Sequence, residues 1–318
     1  MPSRRQTTTE TIEPTRLTNG VAPTPFAFFD VDSPDRGERS LAISGPPPQG
    51  RTVRPSMPRS RTARGSLRDQ LHHAVLHEEW ELHFQPLVDL SNDALGGLEA
   101  LLRWRHPDRG LLAPAGFVVA LERLAIAAEV GRWVVNEACR QLAAWRASGL
   151  RVPRVGVNLF AAHLRAGSLE ADVRSALDRH RLSPSDLEIE VTETIALDDD
   201  DRASRSLSAL REVGVGIALD DFGTGYASLR TLKRYPVTRL KIDRSFVEDL
   251  RESRTSQALV GAMLDIGRNL CIEIVAEGIE TAAQREALDE LGCRWGQGYL
   301  FSRPVPPAEI RFWAWPAS

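Results

Sequence analysis

The stretch that decides the fold runs from Gly216 to Tyr226 and reads Gly-Ile-Ala-Leu-Asp-Asp-Phe-Gly-Thr-Gly-Tyr. A short apolar run ends in two adjacent carboxylates and a glycine-rich turn, as expected for a buried strand that leaves through a loop. Neighbouring strand residues point to opposite faces, so Asp220 and Asp221 can converge only where the strand ends. Two adjacent carboxylates repel each other unless a positive charge lies between them. The stretch predicts a cation site at a strand end, although a solvated turn or helix cap remains open for the pair alone.

Strand-like and helix-like segments alternate along most of the chain. Apolar runs predict strands at 81–90, 96–103, 154–159, 186–192, 215–220, 238–243, 272–277 and 295–300. Amphipathic patterns predict helices at about 114–123, 128–148, 168–180, 201–213, 225–234, 253–270 and 281–291, and a first helix from Leu67 with Ser66 as its N-cap. This alternation over about 250 residues indicates an α/β protein with a parallel sheet, for which a (β/α)8 TIM-like barrel is the natural closure.

The first part of the chain has a different composition. Residues 1–66 hold ten of the twenty prolines, and ten arginines against six acidic residues, without sustained apolar periodicity. This is typical of a disordered leader rich in Pro, Arg and Ser, so we expect the folded domain to be residues 67–318. The basic run 50–64 could contact a membrane surface or nucleic acid, but a solvated linker is the simpler interpretation.

Composition excludes several classes of protein. The three cysteines, Cys139, Cys271 and Cys293, are widely separated, which argues against a disulfide framework or a CxxC zinc site. No apolar run approaches the ~20 residues of a membrane span, and no apolar segment of a secretory signal follows the first arginines. The net charge of −3 gives no reason to predict DNA or RNA binding. We therefore expect a cytoplasmic protein without a transmembrane segment.

Polar side chains recur at the C-terminal ends of the predicted strands. They are Glu99, Asn158, Glu190, Glu193, Asp220, Asp221, Lys241, Glu277, Glu280 and Gln297. In a (β/α)8 barrel this end carries the active site, because the loops there converge on the barrel axis. Any one of them could be a structural salt-bridge partner, but the series is better explained by a shared cation site. Carboxylate and amide oxygens without clustered His or Cys favour Mg²⁺ or Mn²⁺, and two such ions would suit phosphoester hydrolysis by an activated water.

These residues carry a resemblance to a known family. Glu99-Ala100-Leu101, followed by Leu102-Arg103-Trp104, resembles the signature of the EAL-domain cyclic di-GMP phosphodiesterases. The resemblance runs from about Leu67 to Pro307 and includes Phe84-Gln85-Pro86, the stretch from Asp220 to Tyr226, Lys241-Ile242-Asp243 and Gln297-Gly298-Tyr299-Leu300. It implies a barrel whose first strand is antiparallel to the others. It also implies hydrolysis of cyclic di-GMP to linear pGpG with Mg²⁺ or Mn²⁺, in what is expected to be a homodimer.

The resemblance also implies roles for individual residues. The first metal would be held by Glu99, Asn158, Glu190 and Asp220, and the second by Asp220 and Asp221. Lys241 would hold the nucleophilic water, and Glu277 would be a metal ligand or general base, so that the catalytic residues are Lys241, Glu277 and Glu99. The substrate contacts would be Gln85, Leu102, Arg103, Asp243 and Gln297. Glu193 would anchor the loop that links the site to the dimer interface, and Glu280 would brace the site from behind.

Other functions stay open at this point. The main alternative is a catalytically silent receptor for cyclic di-GMP, and a protein-interaction module or a hydrolase of another phosphodiester are further possibilities. Silent members of the family have generally lost metal ligands or the lysine, whereas this chain keeps them. The segment 121–126 departs from the usual family pattern, but the departure concerns loop geometry and leaves the proposed metal ligands intact.

Overall fold

The computed structural model describes residues 65–192, 201–223 and 229–312, and within them nine strands form one sheet. The strands are β1 (Trp80–Asp89), β2 (Leu95–His106), β3 (Gly110–Leu112), β4 (Val155–Asn158), β5 (Leu187–Thr192), β6 (Gly216–Phe222), β7 (Arg239–Ile242), β8 (Glu273–Ala276) and β9 (Trp295–Gly296). Eight of them close a barrel, because β1 pairs with both β2 and β9. Strand β3 extends β2 as a hairpin outside the barrel.

Strand β1 runs opposite to both of its neighbours in the barrel. It pairs antiparallel with β2 and with β9, whereas the other barrel neighbours pair in parallel. The structure thus confirms the predicted (β/α)8 barrel with an antiparallel first strand. The carboxyl ends of the parallel strands all lie at one end of the barrel.

Helices surround the barrel. They are α1 (Leu67–Leu76), α2 (Val118–Glu122), α3 (Ala127–Ala147), α4 (Ala161–Ala166), α5 (Leu169–His180), α6 (Asp201–Glu212), α7 (Leu229–Arg234), α8 (Arg254–Leu270) and α9 (Ala282–Glu290). Short 3₁₀ turns lie at Pro114–Gly116, Pro184–Asp186, Arg244–Phe246 and Pro307–Phe312. Within these described residues, no helix is both long enough and apolar enough to cross a membrane.

Helix α3 shows how the outer ring packs. Val130, Val134 and Ala138 recur every four residues and are buried against the barrel, while Arg132 and Arg140 on the other face are exposed. This is the pattern of an amphipathic helix with one apolar stripe. The main core therefore lies between the strands and the helices, which leaves the barrel interior for polar groups.

Helix α1 begins with a capping box. The Ser66 side chain accepts a hydrogen bond from the Asp69 backbone, and Asp69 accepts one from Ser66 in return. This satisfies backbone N–H groups at the start of α1, as the predicted N-cap requires. Residues 1–64 lie outside the described residues, so the predicted leader stays a prediction.

The short elements differ from the sequence-based expectation. Strand β3 and helix α4 were not predicted, and the predicted helix 114–123 is a 3₁₀ turn followed by α2. Elements of three to six residues are too short to show a clear hydrophobic period. The predicted strand 295–300 is wrong beyond Gly296, because the chain turns at Gly298, where a Cβ would overlap the Ile279 backbone.

Candidate active site

The inward side chains at the carboxyl ends of the strands meet in one buried cluster. Its members are Glu99 of β2, Asn158 of β4, Glu190 of β5, Asp220 of β6, Lys241 of β7, Glu277 after β8 and Gln297 after β9. Residues far apart in sequence become neighbours because each lies on, or directly after, a different strand of the same barrel. The structure therefore brings these predicted site residues together.

Lys241 lies at the centre of the cluster. Its Nζ is 2.6 Å from a carboxylate oxygen of Glu190, 2.7 Å from Glu277, 3.2 Å from Asp220 and 3.3 Å from Glu99. Lys241 itself is only 3% exposed. A buried ammonium is stable only when it is paired, and here four carboxylates surround it. One positive charge against four acidic groups leaves an excess of negative charge that a bound cation would stabilise.

Amide side chains hold Glu99 in place. Asn158 donates a hydrogen bond to Glu99 Oε1 at 2.9 Å, and Gln297 donates one to Glu99 Oε2 at 2.7 Å. Gln297 also donates to Gln85 Oε1 at 2.9 Å. Burial by itself would raise the pKa of Glu99, but the Lys241 charge and these hydrogen bonds lower the pKa below its usual value. Glu99 is therefore held as a carboxylate.

The pKa values of the other buried acids shift in the opposite direction to that of Glu99. Burial is the largest cause that raises the pKa values of Glu190, Asp220 and Glu277, and repulsion from neighbouring carboxylates adds to it, while Lys241 opposes the shift. For Lys241, burial disfavours the charge, but the surrounding carboxylates outweigh burial and raise its pKa well above the usual value. Lys241 thus stays charged among acids that gain from any further positive charge.

Asp220 and Asp221 lie at a bulge in β6. The register with β7 shifts between Leu219 and Phe222, so that both aspartates oppose Lys241. Asp221 adopts the left-handed conformation with a φ of 56°, which aspartate tolerates better than most residues. The bulge breaks the strict alternation of a regular strand, and oxygens of Asp220, Asp221 and Glu277 lie within 4.8 Å of one another.

The donor atoms of the cluster fit a hard divalent cation. Asn158 Oδ1 is buried and has no hydrogen-bond partner within the described ranges, although buried polar oxygens normally have one. A cation would supply that partner, and carboxylate and amide oxygens are the ligands that Mg²⁺ and Mn²⁺ prefer. Among the described residues, the acids whose oxygens lie close enough together to share one cation are Asp220, Asp221 and Glu277. The other predicted ligand set, Glu99, Asn158, Glu190 and Asp220, stays a prediction.

An open cavity lies above the acidic cluster. Its wall includes Gln85, Arg103, Asp243 and Gln297, four of the five predicted substrate contacts. The Arg103 guanidinium donates to the Leu102 carbonyl at 3.0 Å, and Asp243 accepts from the Ser245 backbone at 3.0 Å at the start of a 3₁₀ turn. A hydrogen bond to a nearby backbone group thus restricts the orientation of both side chains at the wall.

Leu102 is placed differently from the prediction. Because alternate residues of a strand face opposite sides, Leu102 points away from the face that carries Arg103. Its side chain is buried in the core and lines a second, mostly apolar cavity beside Val118 and Phe160. The Leu102 side chain is therefore not part of the main cavity wall, and its carbonyl takes part through the hydrogen bond from Arg103.

The two predicted supporting residues are Glu280 and Glu193. Glu280 is exposed and lies at the wall of the main cavity, where its backbone N–H donates to Gln284 at 2.8 Å. Its predicted role as a brace of the site stays a prediction. Glu193 and residues 224–228 lie outside the described residues, so the predicted link between loop and dimer interface stays a prediction.

Several residues of the cavity wall are not among the residues predicted from the sequence. Arg244 follows the Lys-Ile-Asp motif, and Tyr299 lies two residues after Gln297, so both had a signal in their proximity to motif residues. The Arg303 guanidinium lies 4.2 Å from the centre of the Tyr299 ring, within the range of a cation–π contact. Pro114 had no such signal, because it reaches the wall from a 3₁₀ turn that follows β3, and neither β3 nor this turn is predicted from the sequence.

Known proteins match most of the chain. The family model described as EAL domain matches residues 68–304. The chain is 44% identical over 240 residues to the bifunctional diguanylate cyclase/cyclic di-GMP phosphodiesterase MucR of Pseudomonas aeruginosa, covering 76% of this chain and 35% of MucR. It is 40% identical over 244 residues to the cyclic di-GMP phosphodiesterase NbdA of the same organism, covering 77% of this chain and 31% of NbdA. The chain thus spans about a third of the length of these curated relatives.

A solved structure matches the barrel directly. The structure described as PaMucR phosphodiesterase in complex with c-di-GMP has a TM-score of 0.72 and 44% sequence identity to this chain. The match covers 77% of this chain and 99% of the MucR chain. Nearly the whole of the solved MucR chain therefore superimposes on the barrel of this protein.

Proposed function

The chain belongs to the EAL domain family, and on this premise we propose that it is a metal-dependent phosphodiesterase that hydrolyses cyclic di-GMP to linear pGpG. The observation that carries the proposal is Lys241 among four buried carboxylates, beneath an open cavity lined by Gln85 and Arg103. The names of the relatives support the same activity and substrate.

We propose two divalent ions, Mg²⁺ or Mn²⁺, as the cofactor. The oxygen donors around Asn158 would hold the first ion, and the bulge at Asp220 and Asp221 would hold the second. A bound divalent cation lowers the pKa of water and offsets charge on a phosphate. The protein's part is to keep the donor oxygens buried and correctly spaced.

Lys241 would orient the attacking water, and Glu277 would deprotonate it. Lys241 Nζ would donate a hydrogen bond to the water and hold it against the phosphorus, which lowers the entropy cost of attack. Glu277 would accept a proton from it, because a carboxylate within reach of the attacking water can act as a general base. Attack would form one bond from the water oxygen to phosphorus and break the bond to one ribose oxygen, which would take up a proton from solvent as it leaves.

Arg103 and Gln85 would position the substrate. Arg103 presents its guanidinium at the cavity wall, and planar guanidinium groups bind phosphate oxygens through paired hydrogen bonds. Gln85 is held by Gln297 and by its own hydrogen bond to the Ser302 carbonyl at 3.0 Å, so its orientation is fixed before substrate arrives. Asp243 would contact the nucleotide from the cavity wall.

We also propose that the protein acts as a homodimer in the cytoplasm. The support for both statements is the family resemblance together with the expectations drawn from composition. Light scattering of the purified full chain tests the first statement, because a dimer doubles the 35.2 kDa mass of one chain.

The test of the function is hydrolysis of cyclic di-GMP by the purified full chain. We expect pGpG to appear with Mg²⁺ or Mn²⁺ and to disappear with a chelator, with product separated by chromatography. Glu99→Ala should abolish turnover while the variant stays folded, because it removes a carboxylate that the whole cluster shares. The exposed Glu170→Ala on α5 is the matched control and should retain full turnover.

Binding without hydrolysis would overturn the proposal. Calorimetric binding of cyclic di-GMP with no pGpG formed would make the chain a silent receptor. Hydrolysis that survives Glu99→Ala at near-native rate would remove the assignment of the reaction to this cluster.

A further inference from the structure

A second layer of charged side chains lies in the barrel beneath the active site. Arg239 donates to Glu188 Oε1 at 2.6 Å and to Glu273 Oε2 at 2.6 Å. Arg154 lies 3.6 Å from Glu188 and 3.4 Å from Glu273. We call these four residues the lower charge layer. Its centre is buried, since the Glu188 and Arg239 side chains are each 3% exposed.

The lower charge layer repeats the arrangement of the active site. Glu188 precedes Glu190 by two residues on β5, and Arg239 precedes Lys241 by two residues on β7, so both pairs face the barrel interior. The Arg239–Glu188 and Lys241–Glu190 contacts are both 2.6 Å. With a rise of about 3.3 Å per strand residue, the layers lie only about 7 Å apart.

The space between the layers is small and shared. A cavity of about 10 Å³ is lined by Glu188 and Arg239 from below and by Glu190 and Lys241 from above. Glycines make room for the acids, because a Cβ on Gly156 would overlap Glu190 Oε1. Charges in the lower layer therefore act on the active site through protein, where screening by water is weak.

A gain in folding stability does not explain why charged side chains occupy this part of the barrel. The interior of such barrels is usually filled by branched apolar side chains. Replacing a buried ion pair by packed apolar residues is often neutral or stabilising, because both charges lose their hydration. A buried pair directly below a charged site is better explained by its effect on that site.

We infer that Glu188 and Arg239 are positioning residues that set the electrostatic potential at the metal-binding end of the barrel. Glu188 makes the potential more negative and so strengthens cation binding, whereas Arg239 limits that effect. The inference rests on the proposed function, because it concerns metal ions held by the site above. It predicts that removing the charge of Glu188 and removing the charge of Arg239, each alone, change the affinity for a cation in opposite directions.

The test is the affinity of the purified full chain for Mn²⁺, measured by electron paramagnetic resonance without nucleotide. We expect Glu188→Gln to weaken Mn²⁺ binding by on the order of tenfold and Arg239→Gln to strengthen it by on the order of tenfold. The double variant should return to within about threefold of the wild type, because the two changes cancel in charge. Unfolding by urea checks that each variant is folded.

A merely structural role predicts a different pattern. Two single variants that both weaken Mn²⁺ binding, or that both leave it unchanged, would overturn the inference. The exposed Asp265–Arg268 pair, also 2.6 Å apart, is the matched control, and Asp265→Asn and Arg268→Gln should leave the affinity unchanged.

Glu273→Gln keeps the inference testable if a buried variant does not fold. Glu273 is 42% exposed in its side chain and can be changed without opening the core. Removing its negative charge should weaken Mn²⁺ binding, and an unchanged or tighter affinity would overturn the inference. The readout needs no turnover, so a wild type that binds Mn²⁺ without hydrolysing cyclic di-GMP would contradict only the proposed reaction.

Discussion

Lys241 carries the positive charge on which four buried carboxylates depend. Lys241→Met keeps the length of the side chain and removes the ammonium, so the attacking water loses its proposed donor. We expect kcat to fall by at least about 100-fold while KM changes by less than about threefold, because the lost interaction matters most in the transition state. Steady-state kinetics of pGpG formation measure both constants.

The chain offers a matched control for this variant. Lys233, the other lysine of the sequence, is exposed on α7, and Lys233→Met should leave both constants unchanged. An increase in KM with unchanged kcat for Lys241→Met would show that Lys241 binds substrate and does not orient water.

At the scale of single residues, the sequence predicts the site residues that lie near the C-terminal ends of predicted strands. Lys241 and Glu190 could be found in this way, because a polar residue inside an apolar strand run has few explanations. The face of Leu102 was not predicted, since it depends on where the alternation of β2 starts. Tyr299 and Arg244 were not assigned, because their reach to the cavity depends on loop paths.

At the scale of elements, helix α2 places an acid in an apolar setting. Glu122 lines the second cavity, and burial raises its pKa to about 7, against the opposing effects of the Ala161 backbone and the Arg165 charge. The folded state therefore favours neutral Glu122. Keeping Glu122 in this setting costs no folding stability below the unfolded pKa of about 4.5, where the group is neutral in both states. The loss of stability grows as the pH rises from there through the folded pKa of about 7.

Glu122→Gln should remove this pH dependence. A difference of about 2.5 pH units corresponds to about 3 kcal/mol, so the variant should exceed the wild type in free energy of unfolding by up to about 3 kcal/mol at pH 8. The excess should fall below about 1 kcal/mol at pH 5. Urea unfolding at the two pH values measures it, and exposed Glu170→Gln should shift stability by less than about 0.5 kcal/mol at either pH. An equal effect of Glu122→Gln at pH 5 and 8 would contradict the argument.

The predictability of an element depends on its length. Long elements such as α3 and β2 show several periods of their pattern, and the sequence predicted both. Strand β3 has three residues and α4 has six, so neither displays a full pattern. The bulge in β6 is a tertiary feature, because it arises from pairing with β7 and leaves no periodic signal in the sequence.

At the scale of the whole molecule, the barrel interior is charged over two layers. The lower charge layer balances its acids with Arg154 and Arg239. The active site above contains four carboxylates around Lys241 and remains more negative. An uncompensated buried charge lowers the stability of the folded state, so the fold and cation binding should be thermodynamically linked.

Mn²⁺ or Mg²⁺ should therefore stabilise the whole domain. A ligand at 100 times its dissociation constant adds about 2.7 kcal/mol, which for a domain of this size raises Tm by roughly 5–10 °C. Differential scanning calorimetry with metal and with chelator measures the shift without any nucleotide. Glu99→Ala should show a much smaller rise, because it loses a donor carboxylate, while exposed Asp265→Asn should match the wild type. A wild-type Tm that does not respond to either metal would contradict the linkage, since the buried acids would then be balanced within the protein itself.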